Sequence, residues 1–208
     1  MECINYSLKI EDKILIEDLN ISFEKNIMNH LLGSNGVGKS CFAKSCIGML
    51  EYNGKINAEG EIRLIGSYSN VPLDFRLKDI MKILYNRFNK ENIKYLYKIL
   101  KLNNISDNIP IRKLSDGQKQ KIKLLSFLAS EPKTIILDEF TSALDKKTTL
   151  EIYEFLRVYL NKPGVVCLNI THNLSDIEYM EGNYYYFNNN SIEKIETKSE
   201  LVKLYMKG

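Results

Sequence analysis

The sequence has few of the residues on which several common kinds of site depend. It contains only four cysteines and two histidines in 208 residues. The cysteines form neither a CxxC pair nor a zinc-ligand spacing, so a cysteine-based metal site or disulfide framework is not expected and reduced thiols are. The two histidines restrict histidine chemistry to positions 30 and 172.

Long apolar runs and strong charge are also absent. No uninterrupted apolar run approaches the ~20 residues that cross a bilayer, and the N-terminal MECINYSLKIEDK carries acids and lacks an apolar signal core. The formal net charge of +3, with lysines and arginines spread along the chain, is too small to indicate nucleic-acid binding. We therefore expect a protein that stays in the cytosol unless a partner holds it at the membrane, with no nucleic-acid partner.

What the chain does have is an alternation of strand and helix patterns in a length suited to one domain. The predicted elements, in order, are three or four strands within 1–32, a helix from Lys39 to about Met49, two strands within 54–66, helical spacing through 71–113, a helix from about Ser115, a strand over Thr134–Leu137, a helix around Ile152–Tyr159, a strand over Val165–Ile170, a hairpin within 184–195, and a C-terminal helix capped by Thr197 and Glu200. This alternation predicts a largely parallel sheet.

A glycine-rich segment, GSNGVGKS, lies between an apolar strand pattern and a helix pattern. It fits G-x-x-x-x-G-K-[ST] in full, with the members Gly33, Ser34, Asn35, Gly36, Val37, Gly38, Lys39 and Ser40. Glycines allow consecutive backbone N–H groups to turn inward around phosphates, and the following helix N-terminus adds positive field. Lys39 would neutralise phosphate oxygens, and the Ser40 hydroxyl would ligate Mg²⁺.

Two acids end the apolar strand TIILDE. Buried carboxylates are costly unless their charge is needed, so Asp138 and Glu139 are candidates to complement the phosphate loop. Asp138 would hold Mg²⁺ through water, and Glu139 would polarise an attacking water as a general base.

Three further short segments stand at the starts of helices or the end of a strand. KLSDGQK places Ser115 as an N-cap, which by itself is an ordinary helix start. SALD follows the two acids and ends at Asp145, and Thr171-His172 follows a predicted strand. His30 lies within a predicted strand, so a structural role is expected for it.

The order of these segments resembles that of the ATP-binding cassette (ABC) ATPases. The resemblance runs from about residue 3 to about residue 190 and uses five elements, namely the phosphate loop, LSDGQ, ILDE, SALD and the Thr-His pair. It implies an α/β fold with a phosphate-loop NTPase core and mainly parallel sheet, an antiparallel β subdomain and a small α-helical subdomain. We expect one domain over 1–208, with 1–70 and 114–208 in the core and β subdomain and 71–113 in the helical subdomain.

The resemblance also implies a set of site residues around MgATP. The phosphate loop and Cys41 would bind the nucleotide, and Glu139 and His172 would be catalytic. Ser115, Gly117 and Gln118 would bind the ATP held by a second ABC ATPase subunit, with Asp145 as a further cross-subunit contact. The second subunit can be an identical chain or a paralogue. Mg²⁺ would be held by Ser40, Asp138 and Asn70.

The sequence departs from the family pattern at three places. Asp116 stands where the family usually has glycine, so its side chain is expected to point away from the nucleotide. Asn70 replaces the usual glutamine and is one methylene shorter. The place of the usual adenine-stacking aromatic falls near Ile10, with Tyr6 out of register, so weak base selectivity is expected.

The resemblance implies an ATP-hydrolysing subunit that powers a separate transmembrane permease, located in the cytoplasm on the inner face of the membrane. Small cassettes of this kind are common in exporters of peptides or other hydrophobic cargo, so an exporter is one expectation. Two alternatives remain, a soluble ABC ATPase of the iron–sulfur assembly type and a regulatory module that binds ATP with little turnover.

Overall fold

A computed structural model describes residues 1–66 and 69–207. The strands are β1 Glu2–Ile10, β2 Lys13–Ser22, β3 Met28–Gly33, β4 Asn53–Asn57, β5 Ile62–Gly66, β6 Thr134–Asp138, β7 Val166–Ile170, β8 Gly182–Asn188 and β9 Ser191–Ile195. The helices are α1 Lys39–Cys46, α2 Leu77–Arg87, α3 Lys90–Ile99, α4 Asp116–Leu128, α5 Lys146–Leu160, α6 Leu174–Tyr179 and α7 Lys198–Lys207. Single 3₁₀ turns occur at Leu102–Asn104 and Ile111–Lys113. Every element expected from the sequence is present.

The described strands form two sheets. The larger one has the order β5-β6-β7-β3-β8-β9, parallel except for the antiparallel β8–β9 hairpin. The smaller one is antiparallel, with the order β2-β1-β4. Strands β3, β6 and β7 are buried along their whole length, as expected where helices cover both faces of a parallel sheet. The prediction of a mainly parallel sheet with an antiparallel β subdomain is confirmed.

The helix α1 after the glycine-rich segment is shorter than its sequence pattern suggested. It ends at Cys46 rather than near Met49, because Gly48 adopts a left-handed conformation with φ of 74°. The Gly48 N–H bonds the Ser45 carbonyl at 2.9 Å, and the Met49 N–H bonds the Lys44 carbonyl at 3.0 Å. This pair of bonds is a Schellman motif, which stops the helix and satisfies its last carbonyls.

The two larger apolar clusters cover opposite faces of the large sheet, and a smaller third cluster packs α6 and α7 against β3, β8 and β9. On one face, α2, α3, α4 and α5 pack through a cluster that includes Ile93, Ile122 and Ile152. On the other face, α1 lies between the large sheet and the antiparallel sheet, and Phe42 packs edge-on against Tyr6 with ring centroids 5.5 Å apart. Within the described residues, no helix is long and apolar enough to span a membrane.

Candidate active site

The carboxyl ends of four adjacent parallel strands lie at one edge of the large sheet. Gly66 of β5 pairs with Asp138 of β6, Asp138 pairs with Ile170 of β7, and Ile170 pairs with Leu31 of β3. The segments that leave these strands therefore emerge side by side. They carry Asn70, Glu139, His172 and the phosphate loop, and ligands of open α/β sheets bind at this edge.

The backbone of the glycine-rich loop is shaped as a phosphate cradle. Gly36 has φ of 76° and Gly38 has φ of 121°, conformations that favour glycine. A Cβ on Gly36 would meet no heavy atom within 4 Å, so the loop faces open space there. A Cβ on Gly38 would lie 3.2 Å from Leu15 Cδ1, so that end of the loop is packed against β2. Asn35 and Gly36 are exposed, while Ser34, Val37, Ser40 and Cys41 are half-buried.

The Lys39 side chain folds back over this loop. Its Nζ donates to the Gly33 carbonyl at 2.6 Å and the Ser34 carbonyl at 2.8 Å. Burial lowers the pKa of Lys39 from its ordinary value, and the negative charges of Glu139 and Asp138 act in the opposite direction. The amine is thus preplaced between the loop and the two acids.

Glu139 and His172 meet across the ends of β6 and β7. The Glu139 Oε1 and His172 Nδ1 atoms are 3.1 Å apart, and both side chains are about two-fifths exposed, at 40% and 41%. The Glu139 backbone has φ of 50°, in the left-handed region, and its N–H donates to the Ile170 carbonyl at 2.9 Å. Asp138, one residue earlier, is buried. The structure therefore brings the sequence-predicted general base and histidine into direct contact.

Asn70 lies in an exposed position in the segment that follows β5. The preceding backbone is fastened by Ser69, whose Oγ accepts from the Gly66 N–H at 3.0 Å and donates to the Leu64 carbonyl at 3.2 Å. Lys123 of α4 also reaches this point, with its Nζ donating to the Gly66 carbonyl at 3.0 Å. The buried Lys123 was not singled out by the sequence, since its neighbours follow ordinary helical spacing.

The LSDGQ segment opens α4 with a reciprocal capping box. The Ser115 Oγ accepts from the Gln118 N–H at 3.3 Å, and the Ser115 N–H donates to Gln118 Oε1 at 3.0 Å. The exposed Asp116 side chain pairs with Lys119 at 3.1 Å. The predicted N-cap is confirmed, and the pairing with Lys119 partly offsets the charge of Asp116.

Gly117 is the point where α4 touches the first turn of α5. A Cβ on Gly117 would lie 2.5 Å from Thr148 Cγ2 and 2.7 Å from Thr148 Oγ1. Thr148 in turn bonds Asp145, the N-cap of α5, through its N–H at 3.0 Å and its Oγ1 at 2.7 Å. These bonds lower the pKa of the exposed Asp145 carboxyl. LSDGQ and SALD thus form one contiguous surface through Thr148, a residue that the sequence analysis missed.

Tyr6 and His30 are both buried in the core and have structural roles. Tyr6 is fully buried, and its hydroxyl lies 2.5 Å from Ser45 Oγ, so its ring is not presented to a ligand. His30 is also fully buried, with Nε2 2.8 Å from the Met180 carbonyl oxygen. Burial lowers the pKa of His30 to about 4. The structural role expected for His30 is confirmed.

Sequence comparisons connect this arrangement to transport proteins. The family model described as "ABC transporter" matches residues 16–142. The chain is 40% identical over 209 residues to the "Probable peptide export ATP-binding protein YydI" of Bacillus subtilis (strain 168), with 99% of each chain covered. It is 31% identical over 185 residues to the "Energy-coupling factor transporter ATP-binding protein EcfA" of Aster yellows witches'-broom phytoplasma (strain AYWB), covering 77% of this chain and 65% of that protein.

Solved structures with the same fold have lower sequence identity. One, titled "Structure of ATP binding subunit of ABC transporter", superposes with a TM-score of 0.81 at 20% identity and covers 100% of this chain and 94% of that chain. Another, titled "Structure of a bacterial Atm1-family ABC exporter with ATP bound", gives a TM-score of 0.81 at 18% identity and covers 99% of this chain and 40% of that one. At these identities the likeness establishes the fold.

Proposed function

The chain belongs to the ABC transporter family, and from this membership we propose how its residues divide the work. It is an ATP-binding and ATP-hydrolysing subunit that powers a separate transmembrane permease. The observation that supports the proposed catalytic site best is the 3.1 Å contact between Glu139 and His172 at the sheet edge that bears the phosphate loop. The relatives reported above are transporter subunits, which favours transport over iron–sulfur assembly or regulation.

ATP would lie with its phosphates along residues 33–41. Backbone N–H groups of the loop and the N-terminus of α1 supply donors, and the left-handed Gly36 and Gly38 shape the turn. The Lys39 amine, now bonded to the Gly33 and Ser34 carbonyls, is within the same loop and would add bonds to phosphate oxygens.

Mg²⁺ suits the donors near this loop. Ser40 supplies a hydroxyl and Asp138 a buried carboxylate, which are hard oxygen donors of the kind that Mg²⁺ takes together with water and substrate phosphates. Among the described residues, no three His, Cys, Asp or Glu side chains are grouped as a metal site. Asn70 would approach it through water. When bound, the ion would neutralise charge on the phosphates.

Glu139 would accept a proton from the attacking water as that water approaches the γ-phosphorus. His172, in contact with Glu139, would fix the direction of the carboxylate and donate a hydrogen bond toward the γ-phosphate. Both side chains are partly exposed, so substrate can reach them. These groups act by positioning and electrostatics, which dominate phosphoryl transfer.

A second cassette, identical or paralogous, would complete each site. Ser115, Gly117, Gln118 and Asp145 would face the nucleotide held by that second subunit, and the Thr148 contact keeps the two segments together. Within each subunit, we propose that 1–70 and 114–208 form the core and β subdomain and that 71–113 form the helical subdomain. Its helices α2 and α3 pack against α4 of the core segment.

The permease would dock on an exposed apolar patch next to the Asn70 segment. The patch consists of Leu73, Phe75 and Ile109, which are 51%, 38% and 39% exposed. The Leu73 carbonyl accepts from the Arg112 N–H at 2.9 Å and the Phe75 carbonyl from the Ile111 N–H at 2.8 Å, so this turn is held against the segment before α4. Docking here would place the protein on the inner face of the membrane. Given the full-length similarity to YydI, we propose peptide export as the transported process.

The test is purification of the tagged full chain from detergent-solubilised native cells. A polytopic membrane protein in near-equal amount is expected, and Phe75→Asp should abolish its recovery while leaving ATP binding intact. Met206→Asp is the matched control, since Met206 is 73% exposed on α7. Recovery of only a soluble partner would overturn the transport assignment, and equal recovery with Phe75→Asp would overturn the docking patch. Peptide export is tested in a strain that lacks the gene for this chain. Loss of a secreted peptide from the medium of that strain would support peptide export, and an unchanged set of secreted peptides would contradict it.

A further inference from the structure

A buried carboxylate, that of Asp176, lies four residues after His172 in the sequence. Asp176 of α6 is 1% exposed and accepts hydrogen bonds from three side chains. The Thr141 Oγ1 lies 2.9 Å from Asp176 Oδ1 and 3.1 Å from Oδ2, and the Asn169 Nδ2 lies 3.3 Å from Oδ2. The third donor side chain is Tyr153, whose hydroxyl bonds Asp176 Oδ1. A buried charge with this many donors is satisfied and holds its neighbours in fixed geometry.

The bonding extends from Asp176 to the strand that leads into the phosphate loop. The Asn169 amide also lies 3.3 Å from His30 Nδ1, and His30 Nε2 lies 2.8 Å from the Met180 carbonyl oxygen. Because a carbonyl oxygen only accepts, Nε2 carries the proton and Nδ1 accepts from Asn169. Donors and acceptors are thus consistent along the whole series from Met180 to Asp176.

The residues bonded to Asp176 lie close in sequence to the two proposed catalytic side chains. Thr141 is two residues after Glu139, and Asn169 is three residues before His172. The Asp176 carboxylate therefore joins the segment that leaves β6 to the end of β7. Asp176 is thus linked to Glu139 and His172 through Thr141 and Asn169 and the backbone between them.

The backbone at Glu139 needs such support. A left-handed conformation is unfavourable for a residue with a Cβ and persists only where the surroundings hold it. The Glu139 N–H bonds the Ile170 carbonyl at 2.9 Å, and its carbonyl accepts from Ser142 Oγ at 2.9 Å. Thr141 lies between Glu139 and Ser142, and its hydroxyl bonds both oxygens of the Asp176 carboxylate.

We propose that Asp176 is a positioning residue for ATP hydrolysis, which holds the Glu139 segment against the end of β7 so that Glu139 and His172 keep their contact. The proposal rests on the catalytic roles assigned to Glu139 and His172 above. Thr141 is the residue through which Asp176 acts on Glu139, and Asn169 is the residue through which it acts on β7.

The test compares Thr141→Val with Thr141→Ser in the full chain, by steady-state ATP hydrolysis with MgATP. Valine keeps the shape and removes the hydroxyl, while serine keeps the hydroxyl. Thr141→Val and Asp176→Asn should each lower kcat by about 10- to 100-fold with KM for ATP changed by less than about twofold, as expected for a displaced catalytic group. Thr141→Ser should retain kcat. Glu178→Gln, an exposed change on the same helix, is the matched control.

Two results would overturn the proposal. One is equal kcat for Thr141→Val, Thr141→Ser and the unmodified chain. The other is a raised KM with unchanged kcat, which would assign the network to nucleotide binding. If Thr141→Val does not fold, Tyr153→Phe removes one donor to the same carboxylate and is judged by the same criteria. Glu139→Gln separates the proposed function from the positioning role of Asp176. Full turnover by Glu139→Gln would refute the proposed function. No turnover by Glu139→Gln together with a normal kcat for Thr141→Val would refute only the positioning role.

Discussion

Replacing Gly117 by alanine should destabilise the protein, although this change usually stabilises a helix. The added Cβ would lie 2.5 Å from Thr148 Cγ2, whereas carbon atoms in contact are about 3.5–4.0 Å apart. Thr148 or the start of α4 must therefore move by about 1 Å. Overpacking of this kind costs about 1–3 kcal/mol, against a gain of about 0.4–1 kcal/mol from the less flexible unfolded chain. We expect a net loss of about 1–2 kcal/mol in the free energy of unfolding.

A double-mutant cycle in urea isolates this contact. Thr148→Ala removes both crowding atoms and leaves Thr148 Cβ, 3.1 Å from the added carbon, as the nearest neighbour at that residue. In this background the remaining overlap is about 0.4 Å instead of about 1 Å, so Gly117→Ala should cost at least about 1 kcal/mol less than it does beside Thr148. An equal loss of stability in both backgrounds would refute the assignment of Thr148 as the reason for glycine at position 117.

Three further predictions follow from individual side chains. Asp145→Ala should lower the melting temperature at neutral pH because α5 loses its N-cap. Folding lowers the pKa of the Asp145 carboxyl, so in thermal scans the difference in melting temperature from the unmodified chain should vanish as the pH falls well below about 4. Burial lowers the pKa of His30 from about 6.5 to about 4, so the folded state holds this imidazole neutral at pH values where the unfolded chain protonates it. The free energy of unfolding should therefore fall by about 3 kcal/mol between pH 6.5 and pH 4, and His30→Gln should flatten that part of the pH profile. GTP should compete with ATP within about tenfold, because Tyr6 is buried and Ile10 offers no ring, and Ile10→Tyr should widen the ratio in competition binding; a strong preference for ATP in the unmodified chain would contradict this.

The order of the strands and helices, and the placement of the site residues at one sheet edge, could be predicted from the sequence because the relevant patterns are local. Gly33 to Ser40 carry their own conformational requirement, and the Thr134–Asp138 pattern identifies a buried strand regardless of the rest of the chain. A parallel sheet then places the ends of such strands together without further information.

Other features depend on contacts between distant segments and left no pattern to detect. Thr148 fills the space beside Gly117 from 31 residues away, and Asp176 collects donors from β7, α5 and the segment after β6. The early end of α1 is different, since Gly48 was visible in the sequence but its left-handed conformation was not. Apolar spacing continued past that glycine and extended the predicted helix by about a turn.

The most direct test of the central claim is ATP turnover by the full chain with Glu139→Gln. Glutamine keeps the size of the side chain and cannot accept the proton of the attacking water, so we expect hydrolysis to fall by at least about 100-fold while ATP binding persists. Glu178→Gln, which removes an exposed acid from α6, should hydrolyse ATP at the normal rate. Turnover by Glu139→Gln equal to that of the unmodified chain would contradict the assignment of Glu139 as the catalytic base.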